Sequence, residues 1–187
     1  MKKFELTAES KINIFGKKLF RIKALISFGD VEEGETGGWI EKEENLEQSS
    51  GDAWVYGDAE VYGNARVSGN AWVSGNARVS GDAEVSGNAW VYGNAEVYGN
   101  ARVSGNAEVY GNADYTTIHG FGTQFRTTTF FQCEDKQIRV SCGCFLGTIP
   151  EFREQVKNTR EGKIAEEYLM IADLMEKHFV KEKESGE

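Results

Sequence analysis

Proline is almost missing from this sequence, with one residue in 187, and histidine (two) and cysteine (three) are scarce. Three cysteines are odd in number and too few for a disulfide framework, which argues against a small stapled scaffold and for a reducing compartment. No apolar run approaches the ~20 residues of a membrane span. The opening MKKFELTAES has no secretory-signal stretch. Both features lead us to expect a cytoplasmic protein without a membrane partner. Positive charge is also short: the formal net charge is −9 and the sequence pI about 4.9. An acidic chain gains little by displacing counterions from nucleic acid, so direct DNA or RNA binding is disfavoured. Only residues 1–30 depart from this balance, with seven basic and three acidic side chains.

Glycine is what the chain has in excess, 22 residues, of which eleven fall at six-residue intervals from Gly51 to Gly111. Collagen would need a three-residue period and a linker would have none. The units read GDAWVY GDAEVY GNARVS GNAWVS and onward to a degrading GNADYT at 111–116. A constant Val, an Ala two residues before it and a Gly-Asn or Gly-Asp pair between units spell strand, turn, strand, turn. Alternation puts Ala and Val on one face and the residue between them on the other, so Ala and Val should share an interior.

The residue between Ala and Val supplies a second period, eighteen residues long. Trp54, Trp72 and Trp90 fall in one column, Glu60, Arg78 and Glu96 in another, and Arg66, Glu84 and Arg102 in a third. If three hexads make one coil, these columns lie across successive coils about 4.8 Å apart. The two charged columns then alternate in sign, each contact contributing roughly 0.2–1 kcal/mol. Tyr56, Tyr92 and Tyr110 run beside the tryptophans, so one side of the expected prism is aromatic.

An aliphatic residue followed four positions later by a small one, as in Val55 to Ala59 and Val61 to Ala65, resembles the hexapeptide repeat of left-handed β-helix proteins. That resemblance implies the handedness. Residues 21–46, RIKALISFGDVEEGETGGWIEKEENL, are similar to the segment before the repeats in enterobacterial hexapeptide-repeat proteins that carry an acetyltransferase label. VSCGCFLGTIPEF and its following helix resemble the tail of small phage and prophage hexapeptide-repeat proteins. The fold expected is mainly β: a left-handed parallel β-helix with three hexads per 18-residue coil, an N-terminal β cap, and a C-terminal β-hairpin plus two α-helices.

Coil ends expose their interior and need caps. Lys11 to Ile26 reads as a hairpin about Gly16-Lys17-Lys18, and Asp30 to Glu47 as an acidic loop leading into the first coil. Gln124–Gln132 and Gln137–Phe145 read as a second hairpin about Glu134-Asp135-Lys136. Thr148 and Glu151 form a capping-box signature with Pro150 in the first turn, predicting a helix to about Lys157. A second helix, Glu161–Val180, carries the stripe Ile164, Tyr168, Ile171, Met175 and Phe179, expected to pack on the coil end or on another chain. The divisions are thus 1–50 (cap and lead-in loop), 51–116 (β-helix) and 117–187 (hairpin and helical cap or oligomerisation segment).

For function, the aromatic side is the first candidate: Trp54, Trp72, Trp90, Tyr56, Tyr92 and Tyr110 suit either a subunit contact or a platform for planar ligands. Side-to-side homotrimers are common in the class that the repeat resembles. In a cleft between subunits, Arg66, Arg78 or Arg102 of a neighbour could meet a phosphate. Hexapeptide acyltransferases normally use a histidine base and a protruding loop, yet the repeats run uninterrupted and only His119 follows them as a weak catalytic candidate. Cys133, Cys142 and Cys144 with His119 or His178 are weak candidates for a metal site, since C-x-C is a poor zinc signature. Mixed-sign columns argue against an acidic DNA mimic. The expectation is a non-enzymatic, cofactor-free binding protein. The phage resemblance suggests an anti-defence factor that sequesters a nucleotide-like anion or docks on a host protein. Acyl transfer, DNA mimicry and a purely structural oligomer are the alternatives.

Overall fold

The computed structural model describes residues 2–179 and divides at Asn112 into two compact units. In the first, each of the ten hexads from Gly51 to Tyr110 yields one two-residue strand ending at its Val. These are β4 to β13: Trp54–Val55, Glu60–Val61, Arg66–Val67, Trp72–Val73, Arg78–Val79, Glu84–Val85, Trp90–Val91, Glu96–Val97, Arg102–Val103 and Glu108–Val109. A glycine two residues beyond each Val turns the chain toward the strand of the next sheet. From Gly51 to Gly105 every corner glycine has a φ between 59° and 73°, a region costly for residues with a Cβ. At Gly87 a Cβ would also lie 2.8 Å from the Gly105 nitrogen.

Strands pair in parallel with partners eighteen residues on, Trp54 with Trp72, Glu60 with Arg78 and Arg66 with Glu84. They form three parallel sheets, β4-β7-β10-β13, β5-β8-β11 and β6-β9-β12, in a β-solenoid of about four turns. The ladder is regular: the Glu60 N–H donates to the Ala77 carbonyl at 2.9 Å and that of Tyr62 to the Val79 carbonyl at 3.0 Å. Repeat alanines from Ala53 to Ala107 and valines from Val55 to Val109 are all 0% exposed, as the alternation required. Each valine so buried contributes about 1.5 kcal/mol. Corner side chains add a polar ladder, with Nδ2 of Asn64 donating to Asp82 at 3.0 Å and that of Asn70 to Asn88 at 3.0 Å.

The solenoid starts earlier than its repeats. An antiparallel hairpin turns at the expected place but starts at Phe4 rather than Lys11, as β1 (Phe4–Ile12) and β2 (Lys18–Ala24), and the expected lead-in loop contains a strand, β3 (Thr36–Ile40). β3 pairs antiparallel with β2 and parallel with β5, carrying the hairpin into a solenoid sheet. Leu46 then bridges Val67, and the buried Asn45 donates to the carbonyls of Gly63 and Ala65 at 3.1 and 2.8 Å. This first coil escapes the motif because Trp39 pairs with Glu60 and Leu46 with Val67, an interval of 21 residues rather than 18. Its glycines answer to packing: at Gly38 a Cβ would lie 2.6 Å from Cγ1 of Val55 and 2.9 Å from the Ala59 carbonyl oxygen. Gly38→Ala is therefore expected to cost about 1–3 kcal/mol in urea unfolding. An unchanged midpoint would contradict this packing.

The coil ends before the eleventh unit. Tyr115 stands where Val would enter the interior, and Gly111 lacks the positive φ of the other corners. The chain instead opens β14 (Tyr115–Phe121) of the second unit, where Tyr115 pairs with Phe131. β14, β15 (Arg126–Gln132), β16 (Ile138–Cys142) and β17 (Phe145–Thr148) form an antiparallel sheet in chain order. The expected hairpin about Glu134–Lys136 is β15–β16. Its second strand stops at Cys142, because Gly143 (φ 63°) turns the chain and Phe145 belongs to β17.

Two helices complete this unit, α1 (Ile149–Thr159) and α2 (Gly162–His178). The capping box is formed: the Glu151 N–H donates to Oγ1 of Thr148, and the Thr148 N–H donates to Glu151 at 2.7 Å. The α2 stripe is not left for a coil end or another chain. Tyr168, Ile171 and Met175 pack with Phe130, Val140, Phe152 and Val156 in a core internal to the unit, with Ile164 and Phe179 at its edge. Val180, the expected last helical residue, lies outside the described residues. Among those described, no helix is long and apolar enough to cross a membrane.

Candidate functional site

In-register pairing every eighteen residues brings the predicted aromatic column together, but its members have different environments. Trp54 is 0% exposed. Phe4 of β1 and Phe28 pack edge-on against it at 6.1 and 5.4 Å, so it belongs to the N-terminal core and not to the open side. The sequence pattern gave no sign of this, because the covering rings come from outside the repeat. Lys3 seals the same corner, its ammonium donating to the Ala53 carbonyl at 3.1 Å and lying 4.6 Å from the Phe28 ring centroid. Burial pushes the pKa of Lys3 down, opposed by Asp52 and Glu47.

Beyond this corner the column opens. Trp72 stacks on Trp90 with centroids 5.5 Å apart and planes 4° from parallel, and Tyr56 lies tilted against Trp72 at 5.2 Å. Trp90 is 47% exposed, Tyr110 is 61% exposed, and Tyr92 lies against Tyr110 at 5.1 Å. The open face therefore comprises Trp72, Trp90, Tyr92 and Tyr110, with Tyr56 half-buried at its edge. Aromatic pairs add about 0.5–1.5 kcal/mol beyond their burial. Even so stacked, Trp90 and Tyr110 leave large apolar rings in water on this side of the solenoid.

The Tyr56 hydroxyl is buried without a partner among the described residues. Burial, with smaller contributions from Glu35 and Asp30, pushes its pKa from 10.0 up to about 12. The fold thus favours the protonated phenol. Its contribution to stability is complete below pH 10 and is lost as pH rises toward about 12. Tyr56→Phe is expected to flatten the loss of stability over that interval, read by circular dichroism. An alkaline profile identical to that of the parent would contradict the burial.

The alternating charged columns form two of their four possible ion pairs. Arg78 lies 2.7 Å from Glu96 and Arg102 3.2 Å from Glu84, while Glu60 is taken by Lys11 at 2.8 Å. Arg66 is exposed and has no ion pair among the described residues. Two of the three arginines proposed for a phosphate are therefore already neutralised. This favours an aromatic contact surface over an anion clamp on the solenoid.

The other candidates do not converge. His119 is exposed on β14, with its Nδ1 3.4 Å from Oγ1 of Thr127, and His178 is exposed at the end of α2 beside Phe179. Cys133 is buried, Cys142 is half-buried and accepts from Oγ1 of Thr128 at 3.2 Å, and Cys144 is exposed. Among the described residues, no three His, Cys, Asp or Glu side chains are grouped as a metal ion would need.

The solenoid matches a family model described as the YdcK beta solenoid repeat, over residues 59–75, 71–87, 77–93 and 95–111. The chain is similar to that family in its repeats, which together with the parallel sheets makes it a β-solenoid repeat protein. No curated protein matches the chain.

Proposed function

We propose that this chain is a non-enzymatic binding scaffold whose subunits associate side by side as a homotrimer through the open aromatic face. The parallel Trp72–Trp90 stack, with Trp72 half-buried and Trp90 47% exposed, carries this reading. Aromatic side chains are enriched at interface cores and dominate their binding energy. Side-to-side trimers in a left-handed coil are also what the hexapeptide-repeat resemblance implies. Clefts between subunits are then the place for a further partner. Pairing of Arg78 and Arg102 within the ladders favours docking on a host protein over capture of a nucleotide-like anion there. In the phage setting implied by the C-terminal resemblance, such docking would serve an anti-defence role in the host cytoplasm.

Heating the purified protein and extracting small molecules separates the two forms. Host-protein docking predicts an empty extract, and a released nucleotide would overturn it in favour of sequestration. Acyl transfer is tested by calorimetry with acetyl-CoA. The binding-scaffold reading predicts no heat at millimolar cofactor, and saturable binding would contradict it.

A further inference from the structure

The second unit contains a cavity of about 190 Å³ between the β14–β15 turn, the β16–β17 turn, α1 and Tyr168 of α2. Its floor is aromatic. Phe145 lies 5.6 Å from Phe152, and Phe152 meets Tyr168 edge-on at 5.7 Å. The rim is polar and carries Arg126 and Arg160 with Gln124 and Gln155. Although the chain is acidic overall, no carboxylate lines this cavity, and among the described residues neither arginine has an ion-pair partner. Their donors are only partly used: Arg126 donates to Oε1 of Gln124, and Arg160 donates to the Thr159 carbonyl at 2.8 Å. A guanidinium has five N–H donors, so both retain capacity for an anion.

The walls are fixed by the fold. The Tyr168 hydroxyl donates to the Phe121 carbonyl at 3.3 Å, and a Cβ on Gly122 would lie 2.4 Å from that hydroxyl oxygen. Burial pushes the Tyr168 pKa up, the neighbouring Cys142 adds to this, and Arg160 and Arg126 oppose it, so both cations act on the floor. A volume of about 190 Å³ is close to the roughly 150 Å³ of an apolar cavity that holds benzene. It suits one ring and is small for a whole nucleotide.

We infer that this cavity binds a compact aryl anion, a single planar ring bearing a carboxylate or phosphate, with the ring on Phe145, Phe152 and Tyr168 and the anion between Arg126 and Arg160. The site is independent of the solenoid's aromatic face, and neither reading requires the other.

Phenyl phosphate is the probe, with the full chain in calorimetry and inorganic phosphate and benzyl alcohol as half-ligands. Saturable binding of phenyl phosphate is expected, at least about tenfold tighter than either half. It should also slow iodoacetamide alkylation of Cys142, which lines the cavity, and the solenoid variant Trp90→Ala should bind equally well. Arg126→Gln with Arg160→Gln should weaken binding about tenfold or more without moving the thermal midpoint, because both side chains are exposed. Absent saturation at ten millimolar (~10 mM, weaker than any useful site) would overturn the inference. So would inorganic phosphate binding as tightly as phenyl phosphate, or undiminished binding by the double variant.

Discussion

Replacing Trp54 with alanine is expected to cost about 3–5 kcal/mol of stability, whereas the same change at Trp90 should cost about 1 kcal/mol. The two positions occupy one column of one repeat and differ only in what covers them. Trp54 is fully enclosed by Phe4 and Phe28, so truncation opens a void where the N-terminal hairpin meets the solenoid. Trp90 gives up mainly its stack on Trp72. Its loss should appear in association instead: Trp90→Ala is expected to be folded but monomeric. Urea unfolding and light scattering on the two variants check both statements. Equal destabilisation would contradict the division of the column into a core residue and contact residues.

An equally large effect is expected inside the coil. Val85→Asp puts a carboxylate on the interior face between Val67 and Val103, its paired neighbours, among side chains that offer no hydrogen bond. An unpaired charge there is costly enough that the solenoid should be unfolded at neutral pH. Each coil is supported only by the coils beside it, so the defect would spread to both sides. Glu84→Ala, one residue earlier, removes only a half-exposed pair with Arg102 and should cost less than about 1 kcal/mol. Circular dichroism distinguishes the two. A folded Val85→Asp protein would mean that the alternation of interior and exterior is misassigned.

The solenoid was legible because its rule is local and repeated. One Val, one Ala and one corner Gly per hexad define interior and turn, and the residue between Ala and Val records the eighteen-residue pairing directly. Where the rule lapsed, the sequence was harder to read. Thr36–Ile40 has the composition of a loop because its glycines serve close packing against Ile22, Trp54 and Val55. At the other end, 111–116 kept the Gly-Asn-Ala opening but exchanged Val for Tyr115, enough to send the chain into the second unit's sheet. The α2 stripe was visible, but not that β14–β17 would supply its partner, since sheet pairing depends on residues far apart in sequence. For the same reason the aromatic column is visible in the repeat while the burial of Trp54 by Phe4 and Phe28 is not. The C-terminal cavity has no signature in the sequence, because its arginines and aromatic rings come from strand ends and two helices with no shared motif.

The account rests on the open aromatic face being a contact surface between copies of the chain. Static light scattering of the 187-residue chain at micromolar concentration tests this most directly. The predicted result is a mass three times the 20.8 kDa of one chain; a monomeric mass would contradict it.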